Sequence, residues 1–537
     1  MLTCLYEQLA MERTLFAHRK DLKVAGELRL PEEYPELEQV LSYHGYLADV
    51  KGEIVENKLS LSGMLETHLV YRSKEDLDRT PVHGLIWKGP EGVHFNAEIE
   101  LPELTAEWDW HARLVKLSLQ PETGHTLTYQ LELEVMLRAR EINRLEFVKG
   151  IESETKVEVL AEQFISEEPV WSAKVNREVV NHFSLSYPKP PAARILSCQV
   201  VPVGTTATLA KEQVNIEGKL EVYLMYLVLT EDGLEGGVEV QKWTEENGGA
   251  VPFQIIIDAP QAAKDLSLNY ELWLEGAQMY STLPENCRLQ ATIGAKVELF
   301  KMRQINALVD LSPEQGLLID INRKTGELVE VIEETERVFA VEKTLTLPGE
   351  SKNLRRILSA TVANPKVDWA LEQDQLILTG ETQFTLVYLA EDDEEPTWIE
   401  AVSWGDGGDE PLTFGDYLEL PGVDEGMNAR VYLNTNRLKV EQVDERTIKL
   451  LLEYNAQVKV TQVKTLALVT DSALVLPPEG PQPSMTFYFV QPGDNLWMIA
   501  RRYNTTMAAL AKTNQLTDYD SELPVGKKLL IPKTPVV

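Results

Sequence analysis

The sequence is poor in cysteine, and it lacks any long apolar run. Three cysteines, Cys4, Cys198 and Cys287, are spread over 537 residues, which excludes a disulfide framework and the paired spacing of a zinc site. We expect them to be small buried side chains in a reducing compartment. No segment approaches the roughly 18 uncharged apolar residues of a membrane helix. The first twenty residues have no basic stretch ahead of an apolar core, so we predict neither membrane insertion nor a signal peptide.

Basic residues are also scarce. The chain has 51 lysines and arginines against 85 acidic residues, a net charge of −34, which disfavours nucleic acid and anionic lipid as partners and favours a basic protein. The charge is uneven, because residues 485–537 carry +2 and the remainder carries −36. This C-terminal part could therefore bind an acidic surface, including the body of its own chain.

The sequence has no recognisable catalytic constellation. It lacks G-x-S-x-G, Walker, H-E-x-x-H and C-x-x-C motifs, and its many carboxylates form pairs by chance, so we predict a non-enzymatic protein without a cofactor. All eight histidines lie between His18 and His182. Strand pairing could gather some of them as a metal site, but the later repeats have no matching histidines. We therefore predict no metal site; the candidates would be His68, His83, His94, His111 and His125.

An internal repeat organises most of the chain. Similar stretches begin at Val40, Ile195 and Ile357, each with an aliphatic residue followed by Leu-Ser. Each contains an alternating strand that ends in glycine, with a tyrosine eight residues later: Gly63 and Tyr71, Gly218 and Tyr226, Gly380 and Tyr388. The glycines are 155 and 162 residues apart, which indicates duplicated domains rather than a solenoid.

The repeated segments alternate apolar and polar residues with a period of two, which is typical of half-buried antiparallel strands. We predict a mainly β fold with three tandem antiparallel β-rich domains, each resembling a sandwich or barrel. Their limits are 1–150, 151–313 and 314–471, and a proline-rich linker follows at 472–484.

Residues 485–534 have a different pattern. The segment FYFV predicts a strand, Leu496, Ile499, Ala500 and Tyr503 give one face of a helix, and Met507, Leu510 and Ala511 give the face of a second helix before a closing strand. Asp494 is the expected cap of the first helix, and Thr505 or Thr506 that of the second. The order is β-α-α-β.

This C-terminal segment resembles the LysM domain. The resemblance rests on Val490-Gln491-Pro492-Gly493-Asp494, Leu496-Trp497, Ile499-Ala500, Asn514 and Pro524-Val525-Gly526-Lys527, with Asn495 in place of the usual threonine or serine. It implies binding of N-acetylglucosamine polymers such as peptidoglycan, in a groove between two loops. The implied groove residues are Gly493, Asp494, Asn495, Leu496, Pro524, Val525 and Gly526. The alternative is that these residues only build the fold.

The tandem repeats followed by this module resemble the SipL-type spore coat morphogenetic proteins, in which spore-coat (SPOCS) domains precede a LysM domain. The resemblance implies an assembly scaffold in the mother-cell cytoplasm, at the forespore surface. It also implies a coat basement-layer ATPase and other coat proteins as partners. The other interpretations are a peptidoglycan-binding wall protein, a phage tail protein and an enzyme acting on wall glycans.

Overall fold

The computed structural model describes residues 2–532 except 75–80, 104, 186–188, 314–317, 392–397, 406–411, 476–484 and 517–522. These residues are mainly β, in antiparallel sheets, with two short helices near the C-terminus, which confirms the predicted fold class. Both helices have seven residues, and no helix in the described part of the chain is long and apolar enough to cross a membrane.

The first repeat has seven strands in two sheets. A three-stranded sheet has the order β1-β7-β6, and in the second sheet β3 pairs with β2, β4 and β5. The strands are β1 (Leu2–Arg29), β2 (Leu37–Val55), β3 (Lys58–Ser73), β4 (Val82–Trp87), β5 (Val93–Glu100), β6 (Glu107–Thr123) and β7 (Thr126–Ser153).

The second repeat has the same plan. Its three-stranded sheet has the order β13-β14-β8, and β10 pairs with β9, β11 and β12. The strands are β8 (Val157–Ser184), β9 (Ala192–Ala210), β10 (Gln213–Leu229), β11 (Glu235–Trp243), β12 (Val251–Asp258), β13 (Ser267–Leu283) and β14 (Asn286–Pro313).

The third repeat follows the plan with one change, because the counterparts of β2 and β3 are each broken in two. The order of its three-stranded sheet is β15-β23-β22, and the second sheet is split into β16-β19-β20 and β17-β18-β21. The strands are β15 (Leu318–Thr346), β16 (Leu354–Val362), β17 (Lys366–Glu372), β18 (Gln375–Thr382), β19 (Phe384–Ala390), β20 (Ile399–Trp404), β21 (Leu412–Glu419), β22 (Asn428–Gln442) and β23 (Thr447–Val475).

The ends of the strands can be compared with the predicted limits. Strand β7 ends three residues after the predicted limit at 150, and β14 ends at the limit at 313. Strand β23 continues through residues 472–475, the first four positions of the predicted linker. The rest of that linker lies outside the described residues.

The repeated glycines make room for an aromatic ring. Gly63, Gly218 and Gly380 each lie opposite a phenylalanine of the neighbouring strand, namely Phe95, Phe253 and Phe414. A methyl group on the glycine would lie 2.6 and 2.8 Å from the ring Cζ in the first two repeats, and closer still in the third. The ring therefore covers a backbone that has no side chain of its own, as in the pairing of aromatic residues with glycines in other sheets.

The repeated tyrosines fasten the chain to the start of each repeat's second sheet. The hydroxyl of Tyr71 donates to the carbonyl of Pro35 at 3.1 Å, and that of Tyr226 to Pro190 at 3.0 Å. Tyr388 donates in the same way to Lys352 at 3.0 Å. All three side chains are fully buried, so the hydrogen bond satisfies a hydroxyl that would otherwise be costly to bury. The motif found in the sequence thus marks equivalent contacts in the three repeats.

The three repeats pack against one another and share parts of their cores. Their long strands pair as ribbons of 28 or 29 residues, and each ribbon packs against the other two. One apolar cluster combines Leu9 and Phe147 with Phe164 and Ile305 of the second repeat and residues of the third. A second cluster joins the second sheets of the three repeats, from Leu41, Val70, Val82, Leu196, Met225, Leu227, Val240, Leu358, Val387 and Ile399.

Buried ion pairs cross each of the three junctions between repeats. Glu12, Glu167 and Glu298 are 3%, 2% and 4% exposed, and each carboxylate meets a cation of another repeat. The pairs are Glu12 with Arg430 at 2.9 Å, Glu167 with Lys459 at 2.7 Å and Glu298 with Arg138 at 2.8 Å. Because an unpaired buried charge is strongly destabilising, these pairs hold the repeats in one relative arrangement.

The environment of Glu298 favours its ionised form. Burial by itself disfavours the charge, but Arg138, Lys296 and Arg430 outweigh it, and the hydroxyl of Tyr432 donates a hydrogen bond at 3.0 Å. Together they lower the pKa of Glu298 from 4.5 to about 2. The folded protein therefore binds a proton at this site less readily than the unfolded chain does.

We predict that Gly218→Ala destabilises the second repeat, because the added methyl group would overlap the ring of Phe253. Overpacking of this kind costs about 1–3 kcal/mol, which should lower the urea midpoint. Gly349→Ala is the matched control, since nothing lies within 4 Å of the position that its methyl group would take. Equal midpoints for the two variants would contradict the proposed role of the ring.

We predict that Glu298→Gln removes part of the acid sensitivity of the protein. Since the folded pKa lies below the unfolded value, the stabilisation by Glu298 is present above about pH 4.5 and is lost as the pH falls toward 2. The free energy of unfolding should thus depend less steeply on pH in this range in the variant, which should also be less stable at pH 7.

The control for this experiment is Glu98→Gln, because Glu98 forms an exposed pair with Lys58 at 3.2 Å. Exposed pairs of this kind contribute little to stability, because solvent screens them. An unchanged acid slope in Glu298→Gln would be inconsistent with the buried ion pair.

Candidate functional site

The C-terminal module is a two-stranded sheet with two helices. Its elements are β24 (Thr486–Phe489), α1 (Leu496–Arg502), α2 (Met507–Thr513) and β25 (Lys528–Ile531), and the two strands pair antiparallel. Leu496, Ile499 and Ala500 of α1 and Leu510 and Ala511 of α2 are buried together. The predicted helix faces therefore form the core of this small module.

The cap of the first helix differs from the prediction. The side chain of Asn495, rather than that of Asp494, accepts a hydrogen bond from the Met498 backbone N–H at 2.8 Å. Thr506 caps α2 through the N–H of Ala509 at 3.0 Å, as one of the two predicted alternatives. Asparagine thus performs the capping that the usual threonine or serine would give at position 495.

Asp494 instead fixes the loop between β24 and α1. Its Oδ2 atom accepts hydrogen bonds from the Tyr488 hydroxyl at 2.6 Å and from the Gln491 N–H at 2.7 Å. Both hydrogen bonds lower the pKa of Asp494, and the one from Tyr488 has the larger effect. Arg502 in turn donates to the Tyr488 hydroxyl at 2.9 Å. The Asp494 carboxylate therefore forms its hydrogen bonds within this part of the module and stabilises the conformation of the loop.

The two loops implied by the resemblance meet through Val490. Its N–H donates to the carbonyl of Lys527 at 3.0 Å, and its carbonyl accepts from the N–H of Gly526 at 2.8 Å. Gly493 and Gly526 both have positive φ values, 83° and 82°, which glycine adopts without strain. These turns place the first loop, 490–495, beside the second loop, 523–527.

The seven predicted groove residues differ in exposure. Leu496 is buried in the core of the module, so its side chain has a structural role. Asp494 is half-buried, and the others are exposed: Gly493, Asn495, Pro524, Val525 and Gly526. Val525 has the most accessible large apolar side chain of the group, at 64%. The accessible part of the groove thus consists of backbone groups and the side chains of Asn495, Pro524 and Val525, while residues 517–522 lie outside the described part of the chain.

A different face of the module contacts the body of the protein. The indole Nε1 of Trp497 donates to Asp310 at 2.8 Å, and Arg501 lies 3.4 Å from the same carboxylate. The N–H of Met507 donates to Glu158 at 3.0 Å, and Ser312 donates to the carbonyl of Thr505 at 3.2 Å. Trp497 is only 6% exposed. The module therefore binds the acidic body of its own chain, at the end of β14 and the start of β8.

The two lysines next to the groove, Lys527 and Lys528, lie on the exposed side of the module, where Lys528 stacks 3.8 Å from the ring centre of Phe487. Trp497 belongs to the motif, and its helical spacing is typical of a core residue. Its polar partner, Asp310, is 187 residues away in sequence, which no local pattern signals.

The cysteines and the histidines of the first repeat were also candidates. Cys198 and Cys287 are buried free thiols, and Cys4 is half-buried beside Ser472 at 3.2 Å. Within the described residues, no group of three histidine, cysteine or acidic side chains is placed to hold a metal ion. The five predicted candidates have separate partners: Glu66 for His68, Ser73 for His83, Gly89 for His94, Glu271 for His111 and Tyr34 for His125.

We predict that Asp310→Ala releases the module from the body. The change leaves the indole N–H of Trp497 without its acceptor and removes the carboxylate beside Arg501. Hydrogen bonds to charged groups contribute about 1.5–3 kcal/mol, so local opening should become roughly tenfold or more frequent. Hydrogen–deuterium exchange of residues 496–507 measures it. Asp320→Ala, at an exposed position of β15, is the control; equal exchange in the two variants would contradict the docking.

Comparison with known proteins identifies the module. Residues 488–532 match the family model of the LysM domain. No curated protein and no solved structure matches the chain. The match covers the C-terminal module, and the resemblance of the three β repeats to spore-coat domains stays a prediction. The C-terminal segment that resembled a LysM domain is therefore shown to be one.

Proposed function

We propose that the chain is a non-enzymatic binding protein that uses its LysM groove to hold N-acetylglucosamine polymers such as peptidoglycan. The observation that carries the proposal is the separation of the two faces of the module. Trp497, Arg501 and Met507 contact the body. The seven groove residues have no such contact among the described residues. A docked module can therefore still accept a ligand.

The chemistry of the groove suits a neutral glycan. The side chains of Asp494 and Asn495 are engaged within the module, so recognition would rely on the backbone and on the exposed surfaces of Pro524 and Val525. Backbone N–H and carbonyl groups can bind the hydroxyl and amide groups of an N-acetyl sugar. The apolar side chains can pack against its ring and acetyl methyl group. Binding of this kind requires fixed loops, which Asp494 and Val490 provide.

A second candidate function is assembly of the spore coat. It rests on the resemblance of the tandem repeats, and the recurrence of the glycine–phenylalanine and tyrosine contacts in all three repeats supports common descent of those units. In this function the protein is a scaffold at the forespore surface, in the mother-cell cytoplasm. Its LysM domain would dock to the coat basement-layer ATPase, with other coat proteins as further partners.

We predict that Val525→Asp weakens glycan binding by about tenfold or more without unfolding the module, since one lost contact of about 1.4 kcal/mol has this effect. The side chain is 64% exposed, so the folded state should tolerate aspartate. Titration with chitin oligomers and sedimentation with peptidoglycan measure the binding of the full chain.

Val443→Asp is the matched control, since Val443 is 60% exposed and lies on the body; it should bind as the unmodified protein does. Equal binding by Val525→Asp, or no binding by the unmodified chain, would argue against the glycan function. If the chain fails to bind glycan but a fluorescent fusion surrounds the forespore, and does so only with residues 485–537 present, the coat scaffold is favoured.

A further inference from the structure

A cavity lies where the three repeats meet, far along the ribbons from the LysM domain. Its volume is about 240 Å³. Each repeat contributes a segment of its second sheet and a segment of the strand that flanks its long ribbon, and the third repeat also contributes Gln383, Thr385 and Leu452. These segments are 43–47 and 111–117, 199–205 and 272–274, and 361–364 and 434–438. The cavity thus exists only in the assembled body, between the apolar cluster that contains Leu196 and the buried ion pairs.

The cavity opens at an irregularity of the third repeat. Strands β2 and β9 run without a break past this level, where Asp49 and Gly204 adopt positive φ values of 52° and 57°. In the third repeat the strand stops at Val362 and resumes at Lys366, with Pro365 in the gap. The interruption leaves Asn364 exposed at the cavity.

Polar side chains tie this mouth to the first repeat. The amide of Asn364 donates to the carbonyl of Leu114 at 3.1 Å, and that of Gln383 donates to the Tyr43 hydroxyl at 3.3 Å. The mouth is therefore framed by hydrogen-bonding groups from two repeats.

Two buried amides in the wall retain unused hydrogen-bonding capacity. Gln199 and Asn434 are 8% and 5% exposed. Within the described part of the chain, Gln199 Oε1 and Asn434 Nδ2 have no hydrogen-bond partner, although Asn434 Oδ1 accepts from the Leu272 N–H at 3.3 Å. An acceptor and a donor are thus available in the same wall, and buried groups of this kind normally have partners.

The charges of the wall are neutralised. Among the described residues that line the cavity, Arg113 is the one with a permanent charge, and its Nε donates to the buried carboxylate of Glu134 at 2.6 Å. Burial lowers the pKa of His111, against the opposing effect of Glu271, and burial together with His68 lowers the pKa of His44 well below its usual value. Both imidazoles are therefore neutral at pH 7, so the wall favours an uncharged ligand.

The remaining wall combines aromatic and aliphatic surfaces. Tyr43 and Trp273 add aromatic side chains to the lining, and Leu47, Leu117 and Leu274 supply aliphatic surface. Rings of this type pack against apolar ligand faces while their edges remain polar. The volume is slightly below the roughly 300 Å³ at which drug-sized sites begin. The wall therefore fits a compact molecule with hydroxyl groups and one apolar face.

We propose that the cavity is a binding site for a neutral, polyhydroxylated molecule of monosaccharide size. Gln199 accepts a hydrogen bond from a ligand hydroxyl, Asn434 donates one, and Tyr43 packs against the apolar face. The site belongs to the body and is independent of the LysM groove and of its proposed function.

Saturation-transfer difference NMR on the full chain tests the proposal, with D-glucose and N-acetylglucosamine as neutral probes and D-glucuronate as the anionic comparison. All measurements use the Val525→Asp background, so that a signal from the LysM groove is suppressed. We expect a neutral probe to bind and glucuronate to bind at least about tenfold more weakly, a difference of about 1.4 kcal/mol.

Two variants locate the signal. Gln199→Met removes the free acceptor while it preserves the length of the side chain, and Val362→Trp fills the mouth without loss of a hydrogen bond. Each variant should reduce probe affinity at least about tenfold. When the same change is made in the chain that retains Val525, binding to peptidoglycan should equal that of the unmodified protein. Gln254→Met, at an exposed position of β12, is the matched control.

Absence of binding by both neutral probes would overturn the proposal, and so would binding that survives in a folded Gln199→Met or Val362→Trp variant. Equal affinity for glucuronate would also overturn it, because the wall is argued to select an uncharged ligand. If one variant does not fold, the other decides. If the unmodified chain does not bind peptidoglycan but a neutral probe still binds the cavity, only the proposed LysM function is contradicted.

Discussion

The three buried ion pairs between repeats constrain how the repeats can be arranged in the body of this protein. Each repeat supplies one side of two pairs. Both cations of the buried Glu167, Lys459 and Arg430, belong to the third repeat, so loss of that junction would leave this carboxylate unpaired. The cost of such an unpaired buried charge is about 3–5 kcal/mol, a large fraction of the stability of a typical domain. Duplication therefore gave three units of one plan, but their junctions became complementary rather than identical. The repeats are consecutive in the sequence, but the stability of each depends on its contacts with the other two.

This arrangement orders the molecule along its ribbons. At one end the second sheets of the three repeats meet in an apolar cluster. The cavity lies next along the ribbons, followed by the ion pairs and then by the cluster around Leu9, Phe164 and Leu328. The LysM domain contacts the far end, at Asp310 and Ser312. Because the ribbons are continuous through these layers, the body holds the two candidate binding surfaces at fixed and separate positions. A ligand in one therefore has no direct contact with a ligand in the other.

The sequence predicts what depends on local pattern. The strand class, the glycine and tyrosine motif and the LysM domain follow from periodicity and spacing over a few tens of residues. The partners of these residues do not: Phe95, Phe253 and Phe414 match the glycines only once the strand register is known. The contact of Trp497 with Asp310 and the two amides of the cavity wall involve residues that are remote in sequence. For the same reason the cap of α1 was assigned to Asp494, since the competing hydrogen bond from Tyr488 depends on how the strand and the loop pack.

Four histidines of the first repeat lie at its junction with the second. His83 lies 3.3 Å from Arg194, and the ring centre of His111 lies 4.9 Å from that of Trp273. His44 stacks on His68 at 4.5 Å, and the Glu66 that binds His68 also accepts from Gln278 of the second repeat at 3.2 Å. A neutral imidazole can fill such a site as an aromatic ring and still form hydrogen bonds, whereas lysine or arginine would each bring a charge that needs a partner. The equivalent positions of the other repeats face different neighbours, so the same requirement does not arise there. The junction thus accounts for four of the eight histidines, whereas His94 and His125 bind backbone carbonyls of the first repeat itself and His182 belongs to the second repeat.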